Sequence, residues 1–554
     1  MNKELAEQIA LVVKGIYGKD LDFEVDLTRP DEKFGDFATN VALKLANKIG
    51  KNPREVGDEI AAELTKKGML AEVAGPGFIN ITLNDEDLIN NVNSFIYLAD
   101  EDEKTYVVEY SDPNPFKTLH AGHLYTTLVG DAIANIIEKS GAKVVRVNYG
   151  GDVGMHAAKS MYAIIKELGG ENPKKLSDIS DDKKLNWLSE QYIAGSKAYE
   201  DDETAKKEIT LLNKRIYELH AKEDHESDFS KIYWTCRQWS YDGFAEFYDR
   251  LEVKSFDKYY PESSVAELGK KTVEKNIGKV YEKSDGAIVF KGEKAGLHTR
   301  VFINKEGLPT YEAKEVGVSI QKYEDYKFDK SVIITGNEIA QYMQVVLASM
   351  KMFKSDLVEN TIHLTHGMVK LEGGVKMSSR KGNFLTADDI LESANQANKE
   401  LNEKPDFQVT LAAVKFALLK NSIGGDIIYD PKESVSMEGK SGPYLQYALV
   451  RARSILSKAQ PTATTTNNLE PDERKLARKL SEYPEIFVIS RDELSPHHLC
   501  NYLYELAQVF NRFYENNRVL EDVRSDIRLF LVEKYKNVLE EGLSLLGISA
   551  PEKM

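Results

Sequence analysis

Cysteine is scarce in this chain of 554 residues, which contains only Cys236 and Cys500. Because they lie far apart and no Cys-x-x-Cys pair occurs, neither a disulfide framework nor a thiolate zinc site is expected. Long apolar runs are missing too: the stretch Ile9 to Val13 is far shorter than the roughly 20 residues of a membrane-spanning helix. These absences predict a soluble protein of a reducing compartment, the cytoplasm, with no secretory signal.

Basic residues are fewer than acidic ones, with 73 Lys and Arg against 89 Asp and Glu. An even negative charge would disfavour nucleic acid as a partner. Residues 396–554, however, carry 21 basic and 23 acidic side chains, so the acidic excess belongs mostly to the front of the chain. Local basic patches for a structured RNA therefore stay compatible with the composition.

A strand, helix, strand unit begins near residue 105. Thr105 to Tyr110 has the composition of a short buried strand, and Lys143 to Tyr149 that of a second one. Between them, apolar residues recur at helical spacing up to Gly141, at Leu124, Leu128, Ala132, Ile133, Ile136 and Ile137. This order predicts a parallel sheet, because parallel strands need a crossover helix.

The segment His120-Ala-Gly-His123 lies where the first strand gives way to the helix. Free N–H groups and the positive end of the helix dipole favour phosphate at this place. Gly122 has no Cβ, so a base or phosphate could approach its backbone closely. Half of a zinc site and two ordinary surface histidines are the alternative interpretations of these residues taken alone.

A second segment, Lys376-Met-Ser-Ser-Arg-Lys-Gly382, places three cations in a loop of small residues. Such a loop suits a triphosphate that is clamped and then released, although a solvated basic turn is the commoner meaning of such a pattern. Beyond it, Thr386 and Asp389 have the spacing of a helix-capping box. Together the two segments predict a site that holds ATP from two sides.

The two segments resemble the HIGH and KMSKS motifs of the class I aminoacyl-tRNA synthetases. Ser379 stands where that family has its second KMSKS lysine, and the resemblance assigns a compensating role to Lys117, three residues before His120. It implies catalytic roles for His120, His123, Lys117, Lys376, Arg380 and Lys381. It also implies ATP contacts for His120, Gly122, His123, Lys376, Met377 and Ser378.

Three further segments resemble the amino acid pocket of the arginyl enzymes within that class. Glu109 and Asn114 flank the approach to HIGH, Tyr311 and Glu315 belong to a second segment, and Gln344 to a third. A guanidinium presents several donors in a rigid fork, so its pocket requires carboxylates and other acceptors. The family usually carries Asp where this chain has Glu315. Taken singly, these residues have ordinary structural explanations.

Near the C-terminus, Tyr444, Tyr447 and Arg451 fall on one face of a predicted helix. Two aromatics and an arginine can stack on and pair with unpaired RNA bases, although ordinary helix packing is the commoner reason for such spacing. The segment resembles the anticodon-binding domain shared by arginyl and cysteinyl enzymes. That resemblance adds Tyr514 and the terminal Met554 as anticodon contacts.

The resulting expectation is an α/β protein with a Rossmann-type parallel-sheet catalytic domain. An α+β N-terminal domain that contacts tRNA is expected over residues 1–100, and the catalytic domain over 101–395 with an insertion near 160–300. The N-terminal domain should contain an opening helix (Leu5, Ile9, Val12, Val13, Ile16) and an alternating strand from Phe78 to Leu83. Residues 396–554 are expected to form an all-α anticodon-binding domain.

The implied activity is the ATP-dependent joining of L-arginine to tRNA(Arg) through arginyl-adenylate. Mg²⁺ is expected to enter with ATP, and no protein-bound zinc, DNA partner or membrane partner is expected; a monomer is the default. Two alternatives remain at this point. One is a class I synthetase of different specificity, the cysteinyl enzyme being nearest, and the other is a catalytically silent paralogue that binds tRNA.

Overall fold

A computed structural model describes residues 2–18, 21–93, 101–372, 385–402, 405–459 and 468–554. The chain divides into two compact units. The first comprises Met1–Tyr97, Arg451–Ile486 and Tyr502–Glu540, and the second comprises Leu98–Val450, Phe487–Asn501 and Glu541–Met554. No helix within the described ranges is long and apolar enough to span a membrane.

The chain begins with α1 (Asn2–Tyr17), β1 (Leu27–Thr28), β2 (Phe37–Thr39), α2 (Val41–Ile49), α3 (Pro53–Lys66), β3 (Leu70–Ala74), β4 (Phe78–Thr82) and α4 (Asp85–Asn93). The four strands form an antiparallel sheet in the order β1-β2-β4-β3. One face of α1, with Ile9 and Val13, packs into a core with Leu45 and Ile81. The predicted opening helix and alternating strand are confirmed as α1 and β4.

The same unit includes helices from the C-terminal part of the chain. Arg474 donates to Asp36 over 2.7 Å and to Asp85 over 2.5 Å. Arg29 pairs with Glu485 at 2.6 Å. These partly buried ion pairs join residues almost four hundred positions apart or more, which no local pattern in the sequence could indicate.

The middle of the chain contains β5 (Thr105–Glu109), α5 (Ala121–Lys139), β6 (Lys143–Gly150), α6 (Met155–Glu167), α7 (Lys184–Asp201), α8 (Glu203–Ala221), α9 (Asp228–Arg250), β7 (Lys258–Pro261), α10 (Glu262–Lys275), β8 (Glu282–Ser284), β9 (Ala287–Phe290), β10 (Arg300–Ile303), α11 (Tyr311–Tyr326), β11 (Lys330–Gly336), α12 (Ala340–Lys351), α13 (Ser355–Glu359), β12 (Thr361–His366) and β13 (Val369–Leu371). It is followed by α14 (Ala387–Leu401), α15 (Phe407–Leu419), β14 (Ile427–Tyr429), α16 (Pro431–Ser434), α17 (Gly442–Ser457), α18 (Pro471–Ser481), α19 (Tyr483–Asp492), α20 (His497–Asn516) and α21 (Ser525–Leu545).

The second unit is built around a five-stranded parallel sheet in the order β12-β11-β5-β6-β7. From β5 the chain adds β6 and β7 on one side, and later β11 and β12 on the other. The strand order therefore reverses between β5 and β11, and the crevice beyond the carboxyl ends of these strands is where such sheets bind ligands.

The predicted strand, helix, strand unit is confirmed as β5, α5 and β6. The helix ends as expected before Gly141, whose φ of 98° is a left-handed value that favours glycine. The range 160–300, expected as an insertion, is mainly helical, but it also supplies β7 at the edge of the sheet and the small antiparallel sheet β10-β9-β8.

Candidate active site

The two histidines cap the N-terminus of α5. Nδ1 of His120 accepts a hydrogen bond from the Gly122 N–H at 3.1 Å, and Nδ1 of His123 accepts one from the His120 N–H at 3.2 Å. The two rings stack with their centroids 3.7 Å apart. A Cβ on Gly122 would lie 2.9 Å from the His120 ring, so glycine is what lets that ring fold back over the helix start.

Both rings are held in the neutral form. Burial is the main cause that lowers the pKa of His120 and lowers the pKa of His123 well below its ordinary value, and the nearby Lys117 charge adds to the effect. Because each Nδ1 accepts a backbone N–H, the single ring proton must sit on Nε2. The pair therefore presents two Nε2–H donors that are available for phosphate oxygens.

The second cationic segment lies outside the described residues, including Lys376, Met377, Ser378, Ser379, Arg380 and Lys381. The residues that follow it are held against the histidine segment. The Ala121 N–H donates to the Leu385 carbonyl at 2.8 Å, and the Ala387 N–H donates to the Leu119 carbonyl at 3.1 Å. The predicted capping box at Thr386 and Asp389 is confirmed, with bonds of 3.0 and 2.9 Å.

Carboxylates gather near the carboxyl end of β5. Glu109, the last residue of β5, is buried and its Oε2 accepts from Nζ of the buried Lys322 at 2.5 Å. Glu315 of α11 is also buried, and its Oε2 accepts from the Tyr342 hydroxyl at 2.8 Å. Asp112 accepts from the Tyr149 N–H at 2.7 Å. Three carboxylates thus face one lysine, which leaves the pocket short of positive charge.

Burial, together with this shortage of positive charge, raises the pKa values of two of the carboxylates. Burial, and after it the negative charge of Glu109, raises the pKa of Glu315 to about 7. The same two causes raise the pKa of Asp112 well above its usual value. Among the residues that the structure describes, Oε1 of Glu315 and the Tyr149 hydroxyl are buried without a hydrogen-bond partner. A buried polar atom left unpaired is costly, so this pocket fits a ligand that brings hydrogen-bond donors and positive charge.

The other residues predicted to contact the amino acid, Asn114, Tyr311 and Gln344, differ in their exposure and contacts. Oδ1 of Asn114 accepts from the Gly151 N–H at 2.7 Å. Tyr311 opens α11, is 52 % exposed, and has Nζ of Lys314 4.4 Å above its ring. Gln344 is exposed on α12, two residues and therefore about 200° around the helix from Tyr342. Contact with Glu315 comes from Tyr342 rather than Gln344.

Sequence reasoning missed four residues of this pocket, Asp112, Tyr149, Lys322 and Tyr342. A signal existed for Lys322, because it follows Glu315 by seven residues and thus falls on the same face of α11, beside Val318. A charged pair on a core face indicates a buried ionic site. No comparable local signal marks Tyr149 or Tyr342, which have the pattern of ordinary core aromatics.

The predicted anticodon residues lie on or near the C-terminal helices. Tyr444 is half-buried and Tyr447 is 39 % exposed, both on α17. In the first unit, Nη1 of Arg451 donates to Asn511 at 3.2 Å, and its guanidinium lies 5.4 Å from the ring centroid of Tyr514. The structure thus brings Arg451 and Tyr514 together, as a side-chain pair on neighbouring helices. Met554 is 40 % exposed.

The histidine pair does not have the geometry of a metal site. His120 and His123 both use their Nδ1 atoms to accept backbone N–H groups, which is the arrangement of a helix cap rather than of a half-formed zinc site. Within the described ranges, no group of three or more His, Cys, Asp or Glu side chains is arranged to hold a metal ion.

Comparison with known protein families gives matches over nearly the whole chain. Residues 86–431 match the model of the catalytic domain of class I tRNA synthetases (R), residues 445–554 match the DALR anticodon binding domain, and residues 3–83 match the arginyl tRNA synthetase N terminal domain.

The similar proteins and structures are named arginine–tRNA ligase or arginyl-tRNA synthetase. The arginine–tRNA ligase of Flavobacterium psychrophilum is 31% identical over 545 residues, which cover 91% of this chain and 90% of the relative. That of Bacteroides fragilis (strain YCH46) is 29% identical over 598 residues, with 100% and 99% covered. The Thermus thermophilus arginyl-tRNA synthetase structure superposes with a TM-score of 0.79 at 25% identity, with 100% of both chains covered. A Plasmodium falciparum arginyl-tRNA synthetase structure, 20% identical with a TM-score of 0.79, covers 100% of this chain and 99% of its own and has the same fold.

The catalytic-domain match, which spans more than half of the chain, makes this protein a class I aminoacyl-tRNA synthetase. Within that class it belongs to the arginyl-tRNA synthetase family, as the N-terminal domain and the relative above 30% identity establish. The expected fold class is thereby confirmed: a parallel-sheet catalytic domain, an α+β N-terminal domain and a helical C-terminal domain.

Proposed function

We propose that this protein joins L-arginine to tRNA(Arg) in two steps, with ATP as the energy source and arginyl-adenylate as the intermediate. The arginine carboxylate attacks the α-phosphate in line, so the bond between the α- and β-phosphates breaks and pyrophosphate leaves. The 2′-hydroxyl of the terminal adenosine of the tRNA then attacks the arginyl carbonyl, and AMP leaves. The acidic pocket between β5 and α11 is the observation that carries this proposal.

Charge balance supports arginine as the amino acid. The pocket contains Glu109, Asp112 and Glu315 against Lys322, and its unpaired acceptors include Oε1 of Glu315. A guanidinium supplies one positive charge and several donors in a planar fork, which matches a carboxylate better than a lysine ammonium does. Glu315 and Tyr149 are therefore assigned to the guanidinium, with Asn114 and Tyr311 as further arginine contacts. The predicted contact from Gln344 has no support in its position on the exposed side of α12.

The histidine pair supports ATP binding at the start of α5. Nε2–H donors on two stacked neutral rings, together with the dipole of a 19-residue helix, suit an anionic phosphate and the charge that develops on it. Lys117, Lys376, Arg380 and Lys381 complete the proposed phosphate clamp. Mg²⁺ would enter with the nucleotide, since its preferred ligands are phosphate oxygens and water.

The tRNA is proposed to contact both ends of the chain. Residues 1–100 are assigned to its outer corner, and residues 396–554 to the anticodon. Within the first unit, the pairing of Arg451 with Tyr514 supports a place where an unpaired base can stack. Tyr447, in the second unit, is exposed and is proposed as a separate contact. A monomeric, cytoplasmic enzyme is part of this proposal.

The decisive test is ATP–pyrophosphate exchange with each amino acid, run with and without total tRNA. We expect exchange with arginine alone, and only when tRNA is present. Exchange with another amino acid would overturn the assignment of the pocket. A complete lack of exchange, with no ATP consumption, would favour a silent paralogue that only binds tRNA.

The binding of arginine is expected to depend on pH through Glu315. The ionised carboxylate is the form that pairs with a guanidinium, and its pKa is raised to about 7. As the pH falls from 8 to 6, the ionised fraction falls and the KM for arginine should rise about tenfold. Steady-state kinetics over this range, with the KM for ATP as the internal reference, would check it. An arginine KM that falls with decreasing pH would contradict it.

A further inference from the structure

The loop between β5 and α5, residues 110–120, has an unusual backbone. Ser111, Asp112 and Phe116 have φ values of 74°, 48° and 67°, in the left-handed region that residues with side chains rarely adopt. Such conformations persist only where the surrounding structure enforces them. The loop carries Asp112, Asn114 and Lys117 toward the substrates, so whatever holds its backbone also sets the geometry of the site.

One stripe of α9 holds this loop from the side of the insertion. Oγ of Ser240 accepts from the Phe116 N–H at 3.0 Å, and the Tyr248 hydroxyl lies 2.9 Å from Oγ of Ser111. The Phe116 ring packs against Tyr233 with centroids 5.5 Å apart. Two of the three strained residues are thus bonded directly to α9, and Phe116 is buried in the hydrophobic core of the insertion.

The same stripe holds the loop between β6 and α6, residues 151–154. Nε of Arg237 donates to Oδ2 of the fully buried Asp152 at 3.0 Å, and the Tyr233 hydroxyl donates to the Asp152 carbonyl at 2.8 Å. Ser263 donates to the same carboxylate with its N–H and its hydroxyl, at 2.9 and 2.7 Å. Tyr233, Arg237, Ser240 and Tyr248 recur at helical spacing, so one face of α9 contacts both loops.

The two loops also bind each other next to the pocket. The Gly151 N–H donates to Oδ1 of Asn114 at 2.7 Å, and a Cβ on Gly151 would lie 2.5 Å from that oxygen. Asp152 adjoins Gly151 in the chain. The orientation of Asn114 therefore depends on a short connection that runs from Arg237 through Asp152 and Gly151.

We propose that Arg237 and Ser240 are positioning residues for the two substrates. Arg237 orients the arginine contact Asn114 through Asp152 and Gly151. Ser240 orients Lys117, the proposed phosphate contact, through Phe116. This inference rests on the proposed function of the pocket. It gives the helical insertion, which carries no recognisable motif, a role in aligning the site.

Arg237→Gln is expected to raise the KM for arginine about tenfold and to leave the KM for ATP within about twofold, because it removes a charged hydrogen bond from the arginine side only. Should Arg237→Gln fail to fold, Arg237→Lys retains the positive charge beside Asp152 but not the planar donor geometry. Arg237→Lys is expected to raise the KM for arginine by less than Arg237→Gln does, again with the KM for ATP nearly unchanged.

Ser240→Ala is expected to lower kcat of pyrophosphate exchange about fivefold, with the KM for arginine unchanged. The variant loses the acceptor for the Phe116 N–H, next to Lys117, whose charge is proposed to act on the phosphates; the bond that the same hydroxyl donates to the Cys236 carbonyl lies within α9. Gln238→Ala on the exposed side of α9, where the side chain bonds only Asp242 among the described residues, is the matched control and should leave all parameters unchanged.

The two variants are expected to change different kinetic constants, the KM for arginine in Arg237→Gln and kcat in Ser240→Ala. This difference separates positioning from simple stabilisation of the fold. A helix that merely stabilised the fold would change both KM values and kcat in parallel, in step with the melting temperature, and that result would overturn the proposal. Unchanged kinetics in both variants would overturn it too. A wild-type protein inactive with arginine would instead refute the proposed function.

Discussion

Glu315→Gln is expected to raise the KM for arginine about a hundredfold while the KM for ATP changes less than about twofold. Glutamine has the same shape as glutamate, so the pocket should keep its packing and its hydrogen bond from Tyr342. It loses the negative charge that is proposed to balance the guanidinium, and with it the proposed charge-assisted pair in a buried setting. Steady-state pyrophosphate exchange with tRNA present measures both constants.

Two further variants give this prediction its controls. Glu312→Gln lies on the same helix and removes a carboxylate that pairs with Arg300 at 3.1 Å, outside the acidic cluster, so the KM for arginine should stay within about threefold of the wild type. Glu315→Asp retains the charge on a shorter side chain and should keep the loss within about tenfold. An unchanged arginine KM in Glu315→Gln would mean that the guanidinium does not contact this carboxylate.

His123→Ala is expected to lower the rate of adenylate formation about a hundredfold, the scale of the loss of one preorganised donor to a transition state. The variant loses the Nε2–H proposed to face the phosphates and the Nδ1 acceptor for the His120 N–H, so the start of α5 keeps only the cap that His120 provides to the Gly122 N–H. Single-turnover formation of arginyl-adenylate isolates this step from tRNA transfer.

His123→Asn separates the chemical role from the capping role. Asparagine at this third helical position keeps an oxygen that can accept the His120 N–H and an amide donor, so the helix start should survive while the donor moves away from the Nε2 position. We expect an activity between those of the wild type and His123→Ala, with a melting temperature near the wild type. His225→Ala, an exposed histidine stacked on Trp234, serves as the control for loss of an imidazole. Near-normal exchange in His123→Ala would refute the role of the ring.

Local patterns were enough to predict β5, α5 and β6 and the place of the histidines between them. A short apolar strand and a helix with regular apolar spacing depend mainly on neighbouring residues, so both can be recognised from the sequence pattern. The same holds for the capping box at Thr386, whose two bonds join residues only three positions apart. The interpretation of His120 as a phosphate ligand needed the second motif, since one motif alone has commoner explanations.

The partners of the pocket residues were beyond any local pattern. Glu109 meets Lys322 across 213 positions, and Asp152 meets Arg237 across 85. Such pairs arise only when the strand order and the packing of α9 and α11 bring the chain segments together. The edge strand β7 was missed for a related reason: its four residues, between long helices, are too few to show the alternating pattern of a strand.

By itself, the sequence determined the class of the protein, and it predicted the nucleotide motifs and the acceptors for a guanidinium, because these depend on residue types at short spacing. The tertiary structure alone decided which carboxylates share one lysine, which acceptor stays unpaired and which helix holds the strained loop. Burial and long-range contact control those outcomes: a carboxylate acquires a pKa near 7 only when folding has removed water and placed a second negative charge beside it.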